Sequence, residues 1–340
     1  MMSGLGIATW LPSAVLLTGV LSCAAGQPSI DPLDPVQSRL HDDIAYLSSE
    51  ALAGRLAGTP GNDSAAVFIA RRYHDLALIG PFNGKTCGLD KCENSLYQYF
   101  RLTPASVSEV DWPIDDKTQN VAALVLGTDA LLQREFVVIG AHYDHLGRST
   151  VYARDGSDYR FNHPGADDNA SGTAAVLELA RKFAEHPARR SILLVSFSAE
   201  ELGLIGSQVF IERLPVPRDS IVTMVNLDMV GRLRDDNLIF FSGEDHDRFP
   251  RLVDSVEQLM PAIHFHHRWQ SAGREISDQA SFAHVHIPVL GLFTDYHADY
   301  HRSSDTVQRI NFPGLEKIVE FTDRFVRAVA DGRDRPGRRD

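Results

Sequence analysis

Six near-continuous apolar runs, none longer than a strand, recur along this chain at residues 121–126, 136–141, 192–197, 221–227, 238–241 and 289–293. A strand with one wet face alternates apolar and polar residues, so an unbroken run marks burial on both faces. Helical spacing fills the gaps. Residues 64–78 carry Ala65, Phe68, Ile69 and Tyr73, and residues 171–185 carry Val176, Leu177, Ala180 and Phe183. Residues 202–213, 249–260 and 315–329 read in the same way. This alternation predicts an α/β fold: a single three-layer domain whose mainly parallel mixed sheet is covered by helices on both faces.

Composition narrows the partners. A hydrophobic fraction of 44% and a charged fraction of 23% exclude a wholly disordered chain and a polytopic membrane protein. Lys and Arg number 33 against 45 Asp and Glu, a net charge of −12. That balance speaks against nucleic acid as the main partner, because phosphate binding needs a basic surface.

The two ends read as separate from the fold. Residues 1–22 hold no charged side chain and read as a signal peptide, too interrupted by Pro12 and Gly19 to span a membrane as a helix. Val20-Leu21-Ser22-Cys23 resembles a bacterial lipobox, in which Cys23 is lipidated and attaches the protein to a membrane. The alternative is a plain secretory signal cut near Ala24 or Ala25. The expected location is periplasmic or outer-membrane, otherwise secreted. Residues 23–35 read as a linker, 36–330 as the folded domain, and 331–340, charged and aperiodic, as a frayed tail. Cys87 and Cys92 are close enough in sequence to pair, and export favours a disulfide between them.

In an open α/β sheet, ligands bind beyond the carboxyl ends of the strands. The run at 136–141 is followed by His142, Asp144 and His145, that at 192–197 by Glu200 and Glu201, and that at 221–227 by Asp228. The run at 289–293 leads to His297 and His301, and a further segment carries Asp167 and Asp168. One acidic or imidazole side chain alone would be ordinary, and Asp167 or Asp168 could simply cap the following helix. Five such segments directed at one rim point to a metal. Carboxylates and imidazoles without thiolates suit zinc, manganese or cobalt. Two His with three or four carboxylates exceed the three ligands of one catalytic zinc, which suggests two ions bridged by a carboxylate.

Five motifs carry a resemblance to a known family: AHYDHLG at 141–147, GADDNASG at 165–172, AEELG at 199–203, NLDMVG at 226–231 and DYHRSSDT at 299–306. Together with DIAYLSSEALAGR at 43–55 and GTPG at 58–61, they closely resemble the co-catalytic two-zinc aminopeptidases, relatives of the glutamate carboxypeptidases and glutaminyl cyclases. The resemblance implies two zinc ions per chain. His142 and Asp228 would hold one, Glu201 and His301 the other, and Asp168 would bridge them. It makes Glu200 the general base, Asp144 the carboxylate that orients a ligand His, and peptides the substrates. It also implies a cis peptide bond between Asp168 and Asn169; some members carry an inserted protease-associated domain between the early strands, and the short connection from residues 120–126 to 135–141 leaves no room for one there. Gln279 stands where many members have His or Tyr after a Ser-Asp pair, near the expected substrate pocket. His145, His163 and His297 sit beside the motifs without matching a ligand position, and His264, His266 and His267 read as an exposed strand edge. The competing functions are a carboxypeptidase or dipeptidase, a glutaminyl cyclase, and a non-enzymatic binding module on the same fold.

Overall fold

The computed structural model describes residues 34–340 apart from 88–92, 104–113, 153–157, 244–247, 273–275, 334 and 336–340. The signal segment, Cys23, Cys92, Arg274 and Glu275 lie outside the described residues. Cys87 is disulfide-bonded. No helix among the described residues is long and apolar enough to cross a membrane.

Eight strands form one sheet: β1 (Tyr97–Arg101), β2 (Lys117–Val125), β3 (Phe136–His142), β6 (Ser191–Phe197), β7 (Ile221–Leu227), β8 (Asn237–Ser242), β9 (His266–Ser271) and β10 (Val289–Phe293), in the order β1-β2-β6-β3-β7-β10-β8-β9. The central strands β6, β3, β7 and β10 run parallel, and β1, β2 and the β10–β8 pair supply the antiparallel joins. A hairpin of β4 (Arg148–Tyr152) and β5 (Asp158–Asn162) stands apart.

The unbroken apolar runs are explained by two separate cores. Along β3, Val137, Ile139 and Ala141 pack into the larger core, while Val138 packs into the smaller. The larger lies under α1 (Pro35–Leu47), α2 (Pro60–Asp75), α3 (Gly172–Glu185), α5 (Arg248–Gln258) and α7 (Phe312–Asp331). The smaller lies under α4 (Ile205–Glu212) and α6 (Gln279–Ala283), through Phe210 and Phe282. Because successive side chains point to opposite faces, a strand sandwiched in this way has no position that faces water, and its few polar residues, such as Thr223 and Asn226, are buried too.

Helix starts follow cap chemistry. Asp34 accepts from Val36 N ahead of Pro35, Thr59 accepts from Asn62 N ahead of Pro60, and Asn311 accepts from Gly314 N at α7. The helix expected at 202–213 begins only at Ile205, since Leu204 is left-handed at φ 60°. Several elements carry no apolar run and escaped the sequence reading, the β4–β5 hairpin, β1 and α1 among them. The edge strand β1 buries Gln98 and Phe100 alone, and α1 buries Leu40, Asp43, Ile44 and Leu47. Three residues of the stretch expected to form a frayed tail, Asp331, Gly332 and Arg335, make contacts with the domain, and residues 336–340 lie outside the described residues. Asp331 closes α7, Arg190 donates to Gly332 O, and Arg335 pairs with Glu135.

Candidate metal centre

Each central parallel strand delivers its chemistry at its carboxyl end. His142 is the last residue of β3, Glu200 and Glu201 follow β6, Asp228 follows β7, and His301 lies on the loop after β10. Asp168 comes from the turn that leads into α3. Its peptide bond to Asn169 is cis, as the resemblance implied. Several of these loops hold non-glycine residues in the left-handed region: Ala199 just before Glu200, Met229 just after Asp228, and His301 itself. Such backbone costs about 1–2 kcal/mol per residue.

Asp168 lies at the centre. Its Oδ1 is 3.4 Å from His142 Nε2, which is also 3.4 Å from Asp228 Oδ1. Its Oδ2 is 3.1 Å from His301 Nε2, which lies 3.5 Å from Glu201 Oε2. One carboxylate thus faces two separate imidazole–carboxylate pairs. Donor atoms about 2.0–2.1 Å from a tetrahedral zinc stand about 3.3–3.4 Å apart, so these separations suit ligands around a shared cation. Asp228 Oδ1 is buried without a hydrogen-bond partner, which an ion would supply.

The electrostatics agree. Burial alone would lower His142, yet Glu200 and Asp228, with Asp144 and Asp168, hold it well above its ordinary value. Burial and repulsion from Glu201 and Asp228 push Glu200 well up, and burial and Asp168 do the same to Glu201. Burial would also raise Asp168, but the imidazoles of His145, His142 and His301 hold it well below the usual carboxylate range. So many buried carboxylates repel one another unless cations or protons balance them.

A surrounding shell fixes the donors. Asp144 is fully buried, 3.7 Å from His142 Nδ1, and accepts from the backbone N–H of Glu200 at 3.1 Å and of Glu201 at 3.4 Å. Its carboxylate therefore holds the Glu pair, while its main-chain oxygen, 3.3 Å from His142 Nδ1, is the nearer partner of the imidazole. Asp305 Oδ2 accepts from the N–H groups of Asp167 and Asp168, and its Oδ1 accepts from Arg232. Replacing Asp305 with Ala leaves two buried donors unpaired, and we expect a loss of about 2–4 kcal/mol in urea unfolding of the metal-free protein. Behind Asp168, the fully buried Arg55 donates to the carbonyls of Leu47, Tyr143, Pro164, Gly165 and Asp168.

The remaining residues singled out by sequence divide. Asp167 caps nothing: it accepts from Gly231 N and from His297 Nε2, while Asn169 Oδ1 receives Gly172 N. His163 meets Ser149 Oγ at 2.7 Å, and His266 and His267 lie on the edge strand β9. His145 is closer to the centre than its lack of a matching motif position suggested, with Nδ1 2.7 Å from Glu201 Oε1. Burial pushes its imidazole down to about 4. Arg55 and Asp305 gave no functional signal as single residues, although both fall inside the quoted motifs.

The donors themselves line one side of a cleft. Met229, Phe241, Phe293, Tyr296 and Tyr300 form apolar walls, with Asn226, Ser277 and Gln279 among its polar lining. Gln279 is buried and accepts from Asn226 Nδ2 at 2.7 Å, so it does line this pocket.

An α/β sheet with two imidazole–carboxylate pairs sharing one aspartate at its carboxyl rim fits a metallohydrolase. The profile of peptidase family M28 matches residues 120–326, more than half of the chain, and the protein belongs to that family. An aminopeptidase of Pseudomonas aeruginosa is 30% identical over 207 residues, covering 53% of this chain and 36% of its own length. A probable zinc metalloprotease of Pyrenophora tritici-repentis is 26% identical over 201 residues, covering 58% of this chain and 41% of its own. The chain thus spans about two fifths of the length of the curated relatives it matches. Among solved structures, BSAP, a zinc aminopeptidase from Bacillus subtilis, superposes with a TM-score of 0.64 at 17% identity over 88% of this chain and 97% of that one. This likeness establishes the shared fold.

Proposed function

We propose that this protein is a zinc-dependent aminopeptidase that removes the amino-terminal residue from peptides. The observation that carries the reading is the placement of Asp168, whose two oxygens face His142 with Asp228 on one side and His301 with Glu201 on the other. His142, Asp168 and Asp228 would hold one zinc, and Asp168, Glu201 and His301 a second. Bound there, zinc supplies a Lewis acid for the scissile carbonyl and lowers the pKa of the attacking water.

The chain's own groups do the rest. Glu200 can reach the same ion as His142 and Asp228, its Oε2 lying 3.9 Å from His142 Nε2, but the proposed assignment leaves it free of the metals as a residue that lines the cleft. It accepts the water's proton and passes it to the leaving amine. Asp144 keeps Glu200 and Glu201 in their different directions through their backbone N–H groups. The walled cleft receives the substrate's first side chain. Exhaustive chelation should abolish hydrolysis of an aminoacyl anilide, and added zinc or cobalt should restore it; activity surviving verified metal removal would contradict the reading. An amino-blocked anilide should stand uncleaved. Release of carboxyl-terminal residues, or cyclisation of a glutaminyl substrate, would favour the other chemistries of the fold instead.

The reading includes export, with Cys23 lipidated. Mass spectrometry of the mature amino terminus from a bacterial membrane fraction tests it: a diacylglyceryl cysteine supports attachment, and an unmodified terminus beyond Cys23 refutes it.

A further inference from the structure

We propose that His145 is a positioning residue for the Asp168–Glu201–His301 metal site, donating from Nδ1 to Glu201 Oε1 so that Oε2 is presented to the ion. The inference rests on the two-zinc reading above.

Four donor pairs at the centre stand 3.1–3.5 Å apart. The His145–Glu201 pair is different. Its 2.7 Å separation is a charge-assisted hydrogen-bond length and is shorter than the spacing of two ligands on one tetrahedral ion, about 3.3 Å. Glu201 therefore has divided oxygens: Oε1 is taken by His145, and Oε2 faces His301 at 3.5 Å.

The ring's other nitrogen supports the same orientation. His145 Nε2 is buried with no hydrogen-bond partner. A neutral imidazole carries one N–H. Placing it on Nδ1 gives Glu201 a donor and leaves only a lone pair unmatched at Nε2. The opposite tautomer would strand a buried N–H, the costlier arrangement.

The ring is also held in place. A Cβ built at Gly165 would fall 2.5 Å from His145 Cδ2, so only glycine leaves room for it, and φ of 57° at Gly165 suits glycine as well. The rings of His163 and His301 stand edge-on to it, with centroids 6.3 and 5.8 Å away. The side chain is fully buried, so a donor fixed this firmly sets the direction of the carboxylate it meets.

The test compares His145→Phe, which keeps the ring and loses the donor, with His145→Asn, whose amide N–H falls near the Nδ1 position. Zinc affinity is read by titration against a chelator of known strength, and the geometry by the visible spectrum of the cobalt-loaded protein. We expect His145→Phe to weaken one of two ions by about 10–100-fold and spare the other, as loss of an outer partner does. His145→Asn should restore most of that affinity and keep the wild-type cobalt spectrum. If His145→Phe fails to fold in the metal-free state, His145→Leu takes its place. Wild-type affinity for both ions in the donor-less variant overturns the proposal. Equal loss in both variants with an altered cobalt spectrum overturns it too, since the ring would then be a ligand. A wild-type protein that binds fewer than two ions overturns the two-zinc reading itself and is distinguishable from either result.

Discussion

Glu200→Gln should lower turnover by about two to four orders of magnitude while leaving both zinc ions and the fold in place. The amide matches the carboxylate in shape but cannot accept a proton from water at neutral pH, and positioned general acid–base catalysis contributes about that factor. Glu201→Ala should fail in another way, with loss of bound zinc, because its Oε2 stands 3.5 Å from His301 Nε2 beside the shared Asp168. Metal content and turnover measured on both variants separate the roles. Near-normal turnover in Glu200→Gln would remove it as the base. Zinc loss in Glu200→Gln with retention in Glu201→Ala would exchange the two assignments. A role for Glu200 limited to favouring a helix start would be worth less than about 1 kcal/mol and would touch stability alone.

Arg55→Met should destabilise the metal-free protein by about 3–5 kcal/mol. The guanidinium is fully buried and donates to five main-chain carbonyls rather than to a carboxylate. Those carbonyls belong to the end of α1, the loop after β3 and the turn carrying Asp168, so a single side chain ties together three segments of the site. Burial lowers its pKa to about 10, opposed by Asp168, Asp144, Asp305 and Glu201, and it stays charged at neutral pH. Methionine would fill much of the space while leaving those carbonyls without their donor, and each unmet buried acceptor costs about 1–3 kcal/mol unless water reaches it. Lysine should recover little, since a single ammonium cannot reproduce the planar fork. Urea unfolding of the metal-free variants isolates this effect from any loss of zinc. A stability within about 1 kcal/mol of wild type would show that the carbonyls find other partners.

The parts of the fold legible in the sequence were those set by burial on both faces. The runs at 221–227 and 289–293 coincide with β7 and β10 because every residue in them is buried. The strand β1 was not legible: Gln98 is buried there by a bond from its amide to Arg213 O, a long-range partner that no local pattern announces. The same distinction holds at the site. His142, Glu200, Glu201, Asp228 and His301 were visible because each follows an apolar run, and strand ends at one rim must meet. The part played by Arg55 was not, because it depends on carbonyls up to 113 residues away. His145 was set aside for want of a matching position in the resemblance. Its closeness to Glu201 appears only once β3 and β6 lie side by side.

Anomalous diffraction at the zinc edge from crystals of the zinc-loaded protein tests the central claim most directly. The account predicts two peaks about 3.5–4 Å apart, one among His142, Asp168 and Asp228 and the other among Asp168, Glu201 and His301. A single peak under saturating zinc, or two that do not share Asp168, would contradict it.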